Sequence, residues 1–281
     1  MKVLPFIIPK SPYENLVFQI DEQARFYDKL HQHEEIQISF ISKGSGKLIL
    51  MDSIHQFSPD DLFVIGSNIP HLFKSDDTTD VNSKMYTLFF TQDSFGKNFF
   101  NLLELQTLNS FFNRAQNSFR VLKHHNELGL LLQKMEHKNR LERFIGLLQL
   151  LNQLSETATK SLSQYLPTKV RSLDEGERLQ SIFDLVIQNF KRQITLKEVA
   201  DLTFMTKNSF CRFFKKHTNK SFFDFLKAYR VEHACKQLAQ SKAQPITEIA
   251  EGCGFQSQSN FNRRFKEIKG MTPTQYRKSI Q

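Results

Sequence analysis

The 281-residue sequence has no tryptophan, only three cysteines and no long apolar run. Each shortage excludes something. A bilayer-spanning helix needs about 20 consecutive apolar residues, which are absent, and the opening Met1–Pro9 is too short an apolar stretch for a secretory signal. The sequence therefore reads as a cytoplasmic protein. Cys211, Cys235 and Cys253 are odd in number and form no CxxC pair, so neither a disulfide framework nor a cysteine zinc site is supported. Cys235 and Cys253 read as core, and Cys211 as a small contact on a polar face.

Apolar residues make up 40% of the chain and charged residues 24%, enough to bury a core and too apolar for wholesale disorder. The net charge of +9 is unevenly placed: up to Glu175 there are 19 Lys and Arg against 20 Asp and Glu, and from Gly176 onward 19 against 9. A body of net −1 thus precedes a module of net +10. That asymmetry points to an anionic polymer or surface as the partner of the last third, and speaks against a single-domain enzyme.

Residues 1–95 show short strands divided by turns. Ile36–Ser42 alternates as Ile36, Ile38 and Phe40, Lys43–Gly46 turns the chain, and Lys47–Met51 begins a second strand. Ser58–Asp61 is a turn ahead of the strand Leu62–Ile65, and Ser75–Asp80 a polar loop ahead of Met85–Phe90. This spacing suggests a small sandwich or barrel. From about Asp93 the apolar period becomes helical: Phe99, Leu102, Leu103 and Leu105; then Leu128, Leu131, Leu132 and Met135; then Leu141, Phe144, Ile145, Leu148, Leu151 and Leu154. These stripes either cover the strands or pair two copies of the chain. Residues 155–177 are the linker candidate, which gives domains of 1–154 and 178–281.

The basic third repeats itself. Glu198-Val199-Ala200 returns as Glu248-Ile249-Ala250, Met205 as Phe255, Phe210-x-Arg212-x-Phe214-Lys215 as Phe261-x-Arg263-x-Phe265-Lys266, and Ser221 as Thr272. Each copy reads as helix, tight turn, helix, over about 195–217 and 246–269, the first opened by a capping box at Thr195 and Glu198. In each second helix the apolar residues (Phe210, Phe213, Phe214; Phe261, Phe265, Ile268) lie opposite a polar face. Lys207, Asn208, Cys211 and Arg212 in one copy, and Gln258, Ser259, Asn262 and Arg263 in the other, are candidate base readers, since amides and guanidinium groups match base edges in the major groove. Lys215, Lys216, Lys220, Lys266 and Lys269 are candidate phosphate contacts. A basic face is usually only solvated; its duplication in register favours double-stranded DNA as the partner.

These residues resemble the DNA-binding domain of the AraC/XylS family of transcription regulators, in which a long helix, here Phe222–Gln240, joins two helix-turn-helix units. The second unit, from Ile246 through Phe255 and Phe261 to Arg277, is similar to the family signature. The first departs from it at Phe204, aligned with Gly254, and at Asn219, aligned with Gly270. Asn tolerates a left-handed conformation, whereas Phe204 must adopt φ > 0 at about 1 kcal/mol or widen the turn.

Farther forward, His31-Gln-His33, Gln37 and Gly44, then Pro59 through Pro70-His71, resemble the two cupin motifs. The fold class implied is α+β: a cupin-like barrel with appended helices, then an all-α domain. By the resemblance His31, His33, Gln37 and His71, with Arg25 and Tyr27, become candidate contacts to a small-molecule effector such as a sugar. No metal or other cofactor is expected, because the usual carboxylate position is Gln37; three histidines remain a donor set for a divalent ion.

The function implied is an effector-responsive transcription regulator without enzymatic activity, homodimeric through its N-terminal helices, with RNA polymerase as a further partner. Three rivals stay open: a metal-dependent cupin enzyme with an accessory DNA module, a methyl-transfer repair protein, and an effector-independent DNA binder. The second needs an N-terminal nucleophilic cysteine, and every cysteine lies at 211 or later.

Overall fold

The computed structural model describes residues 4–5, 14–76, 82–164, 173–241 and 243–280. Most of the polar loop read at 75–80 and part of the linker read at 155–177 lie outside the described residues. The chain divides into two compact units, one of Lys2–Met51 with Phe57–Ser172, the other mainly of Leu173–Gln281.

The β-rich part of the chain has strands β1 (Leu4–Pro5), β2 (Val17–Gln23), β3 (His31–Gln32), β4 (Ile36–Lys43), β5 (Gly46–Leu50), β6 (Ile54–Phe57), β7 (Leu62–Ile65), β8 (His71–Ser75) and β9 (Ser83–Phe90). After short 3-10 turns come α1 (Asn109–Ala115), β10 (Phe119–Val121), α2 (His125–Lys134), α3 (Arg140–Glu156) and β11 (Thr159–Ser161). They form two sheets, β1-β3-β8-β5-β6 and β11-β10-β7-β4-β9-β2. Among the described residues each sheet keeps free edge strands, so the expected barrel is an open two-sheet arrangement within an α+β fold.

Strand alternation explains the layering. On β4, Ile36, Ile38 and Phe40 join Leu62, Val64, Leu88 and Phe90 on the outer face of the six-stranded sheet, where Phe111, Leu128, Leu132, Leu147, Leu150, Leu151 and Leu154 cover them. The opposite face, with Ile41, Phe63, Ile65 and Met85, meets Leu48, Leu50 and Phe73 of the other sheet. Burying each such side chain contributes about 1.5–3 kcal/mol, so the apolar stripes serve chiefly as the cover of the sheet. The stripe on α3 is rotated from its expected face: Leu147 and Leu150 are buried, whereas Leu141 is 67% exposed and Ile145 46%. Leu102 and Leu103 also face solvent. Gly129 lets α2 approach the sheet, since a Cβ there would lie 2.2 Å from the Phe40 ring. The linker is shorter than expected at its front end, because β11 pairs with β10 and extends the six-stranded sheet.

The second unit is helical: α4 (Leu173–Asn189), α5 (Leu196–Leu202), α6 (Lys207–Thr218), α7 (Phe222–Gln240), α8 (Ile246–Gly252), α9 (Gln258–Lys269) and α10 (Pro273–Ser279). The pairs α5/α6 and α8/α9 flank α7, whose bounds are those read from the sequence. The repeat is physical as well as textual. Met205 N donates to Ala200 O at 2.9 Å and Phe255 N to Ala250 O at 3.0 Å, while Ser221 and Thr272 both cap the helix after the second helix of the pair. Thr195 caps α5, but the Glu198 carboxylate bonds Arg192 rather than closing a capping box. Phe204 takes φ 53° and Asn219 φ 55°, so the strained alternative at Phe204 is the one adopted. Phe261, Phe265 and Cys253 join the core of the second pair, and Cys235 lies there too, its thiol pushed up to about 12 by burial. Ile268, expected inside, is 39% exposed. Among the described residues no helix is long and apolar enough to cross a membrane.

Candidate nucleic-acid interface and effector cavity

Helices α6 and α9 each have 12 residues and start at hydroxyl caps, Thr206 and Ser257, whose oxygens accept from Ser209 N and Asn260 N. Each ends at a left-handed residue, Asn219 or Gly270. Their buried ridges, Phe210 and Phe214 in one and Phe261 and Phe265 in the other, orient the opposite faces outward. Lys207, Asn208, Cys211 and Arg212 are exposed on α6; Gln258, Ser259 and Arg263 are exposed on α9, and Asn262 is half-buried. Arg264, its neighbour, donates to Glu267 at 2.7 Å.

The lysines separate. Lys215, Lys216 and Lys266 are exposed, Lys220 is half-buried, and Lys216 lies 3.8 Å from Glu175. Lys269 leaves the phosphate set: its ammonium bonds Glu232 Oε1 at 2.5 Å with only 23% of the side chain accessible. An amphipathic stem at the end of α9 reaches back to α7, which charge counting alone does not show. A broad open groove of about 650 Å³ lies elsewhere in this unit, among Lys191, Lys227, Arg230, Glu251 and Asn260.

In the first unit a cavity of about 190 Å³ is lined by Gln19, Asp21, Gln23, Phe26, Tyr27, His31, Gln37, Phe73, Met85 and Phe89. Tyr27, His31 and Gln37 were singled out from the sequence; Gln19, Asp21 and Gln23 were not. Their signal was the two-residue period of β2, whose apolar Phe18 and Ile20 meet the helix-covered core while the polar positions turn inward. Arg25 is exposed and does not line the cavity. Burial raises the Asp21 carboxyl above its ordinary range, partly offset by a 2.7 Å hydrogen bond from Gln19.

Behind the cavity the histidines converge. His31 stands opposite His71 in the β3–β8 register, and ring nitrogens of His31, His33 and His71 lie within 4.8 Å of one another. Gln37 Oε1 is 3.1 Å from His33 Nε2 and 2.9 Å from His71 Nε2. Gln37 Nε2 donates to Ser39 Oγ at 2.8 Å, and Ser39 Oγ is 3.0 Å from Thr87 Oγ1. Burial lowers the proton affinity of all three rings, bringing His31 down to about 4 and His71 well below its ordinary value. The arrangement offers neutral polar groups and aromatic faces, with one carboxylate.

The helix-turn-helix domain family matches residues 199–279, and the AraC-like ligand binding domain family matches residues 12–167. The chain is 26% identical to the probable transcriptional regulator LumQ of Photobacterium leiognathi over 249 residues, 88% of this chain and 90% of LumQ. It is 22% identical over 272 residues to the HTH-type transcriptional regulator YdeC of Bacillus subtilis, covering 92% of this chain and 89% of that one. Against the crystal structure of ToxT from Vibrio cholerae the TM-score is 0.39 at 14% identity, covering 95% of this chain and 98% of ToxT. With one family spanning more than half of the chain and the other spanning α6 and α9, the chain belongs to the AraC family of transcription regulators, with an N-terminal ligand-binding domain and a C-terminal DNA-binding domain.

Proposed function

We propose that this regulator senses a small neutral polyhydroxyl compound of monosaccharide size in the inter-sheet cavity and reads DNA with α6 and α9 in successive major grooves, catalysing no reaction of its own. The observation that carries the effector class is the inward column of Gln19, Asp21 and Gln37 against Phe26, Tyr27, Phe73 and Phe89. Amides and a carboxylate bond hydroxyls while aromatic faces cover the C–H faces of a sugar ring. A carboxylate in so small a space repels a dianion.

On the DNA side, Lys207, Asn208, Cys211, Arg212, Gln258, Ser259, Asn262 and Arg263 contact base edges, with Lys215, Lys216, Lys220 and Lys266 on phosphates. Recognition helices that enter successive grooves stand about 34 Å apart. The chain acts as a homodimer through the exposed Leu141 and Ile145 of α3. Calorimetric titration of the full-length protein with aldopentoses, aldohexoses and dicarboxylates tests the effector class: saturable binding of a monosaccharide is expected, and binding of a dicarboxylate with no saccharide binding overturns it.

A further inference from the structure

On the reading that α6 and α9 enter successive major grooves, we infer that Arg230, in the middle of α7, is the positioning residue that fixes the separation and rotational phase of the two DNA-reading helices. It thereby sets which spacing between the two halves of a DNA site the protein accepts.

The 19 residues of α7 make a rod about 28 Å long, and each half of it holds one helix-turn-helix pair. Toward its start, Phe222 and Phe225 pack on Phe214 of α6, with ring centroids 5.6 and 5.7 Å away. Toward its end, Val231, Ala234, Cys235 and Leu238 join the core that contains Ile249, Phe261 and Phe265. Arg230 stands between these two packing regions, and its guanidinium turns to the segment that leads into α5. Nε donates to Phe190 O at 2.7 Å and Nη2 to Arg192 O at 2.8 Å. The same segment rests on the other pair: a Cβ on Gly254, in the turn between α8 and α9, would lie 2.6 Å from Phe190 O and 2.7 Å from Lys191 O. The Phe190 ring packs on α7, 5.2 Å from the Tyr229 ring and 4.6 Å from the His233 ring, and the Arg230 guanidinium is 5.9 Å from the centre of the Phe255 ring. Residues 190–192 ahead of the first pair, the middle of α7 and residues 254–255 of the second pair therefore meet at one junction.

A guanidinium suits this task. Two carbonyl oxygens two residues apart accept from two nitrogens held in one rigid plane, which defines both the distance and the twist of the segment relative to α7. A lysine offers its donors from one rotating nitrogen on a flexible stem and defines neither. Helical geometry carries this to DNA. One base pair moves a half-site along the duplex by about 3.4 Å and turns it by about 34°, so a rigid pair of readers rejects the displacement, whereas a pair that swivels on α7 follows it. A loose junction also lowers the effective concentration of the second reader once the first has bound. Arg230 lines the open groove together with Lys191 and Lys227, which makes a phosphate contact the competing role.

The test uses full-length protein and a duplex that the wild type selects from random sequence, in versions with one or two base pairs inserted or removed between the two enriched blocks. Wild type is expected to lose on the order of thirtyfold in affinity on a one-base-pair insertion, the worth of one or two base contacts. Arg230→Ala and Arg230→Lys are expected to bind the original spacing about tenfold more weakly and the displaced spacings within about threefold of it, with base preference inside each block unchanged. Thermal unfolding shows that each variant is folded, and Arg230→Lys, which keeps the charge and the stem, decides if Arg230→Ala does not fold. A folded variant that keeps the wild-type spacing penalty overturns the inference. So does a loss that is equal at every spacing with the salt slope lowered by about 1, which makes Arg230 a phosphate contact. A wild type indifferent to spacing removes the two-reader reading and the role of Arg230 with it, whereas a spacing penalty shared by wild type and variants removes the role of Arg230 alone.

Discussion

Phe204 and Gly254 occupy the same step of the two helix-turn-helix turns, at φ 53° and 80°, yet Phe204 is 94% exposed whereas a Cβ on Gly254 would lie 2.6 Å from Phe190 O. One position needs glycine for space and conformation, the other for conformation alone. A left-handed L-residue costs about 1–2 kcal/mol, and glycine returns about 0.4–1 of that through the unfolded chain. Phe204→Gly is therefore expected to stabilise the protein by about 0.5–1 kcal/mol. Gly254→Ala combines strain with overpacking and costs more than about 2 kcal/mol. Denaturant unfolding of both variants checks the pair; destabilisation by Phe204→Gly would mean that its exposed ring is held by something else.

Arg263 is exposed on α9, as is Lys266 one turn later. Arg263→Ala should cost about 1–3 kcal/mol on the preferred sequence and relax the choice of base, whereas Lys266→Ala should weaken all sequences alike and lower the salt slope by about 1. Binding measured on matched and scrambled duplexes at several salt concentrations separates the roles. A uniform loss from Arg263→Ala would make it a phosphate contact.

Asp21 costs stability where it sits. Its folded pKa is raised by burial, so the native state binds the proton more tightly than the unfolded chain. Stability therefore falls as pH rises from the ordinary carboxylate range through the raised value, and the penalty is complete above it. Asp21→Asn should raise the melting temperature at pH 7, with a gain that shrinks as pH falls through that window. The same change should weaken monosaccharide binding about tenfold or more, because a hydrogen bond to a charged group contributes about 1.5–3 kcal/mol. Melting curves across pH together with calorimetry read both effects, and an unchanged affinity would remove Asp21 from the effector site.

Leu141 and Ile145 lie four residues apart on one exposed side of α3, while Leu147, Leu150, Leu151 and Leu154 hold that helix to the sheet. Replacing both with Glu should leave the fold intact and raise the dimer dissociation constant at least about tenfold. Sedimentation velocity over a concentration series gives the answer; a wild-type protein monomeric at all concentrations would contradict the dimer.

The second unit was legible because its signals repeat. The offset between Phe210-x-Arg212-x-Phe214 and Phe261-x-Arg263-x-Phe265 fixes two helices at once, and α7 between them has the bounds that the family resemblance implies. The first unit was legible in its longer strands but not in β10 and β11, three residues each, which lie among helices and owe their conformation to the sheet edge they extend. Helical period alone could not say which side of α3 faces the sheet, since leucines lie on both. The cavity was half visible. Histidines draw attention by type, but Gln19 and Asp21 are ordinary surface residues until β2 is seen to turn its apolar side toward the helices. Lys269 shows the limit of charge counting, because a cation on a basic helix can belong to an internal pair.

The central claim, that the two helices read one continuous DNA site, is tested most directly by selecting bound duplexes from random sequence with the full-length protein. Two enriched blocks per protomer, centred about 10 base pairs apart, are expected, with affinity for the selected site falling about a thousandfold between 50 and 200 mM salt. Retention of DNA without sequence enrichment, or an affinity insensitive to salt, would contradict it.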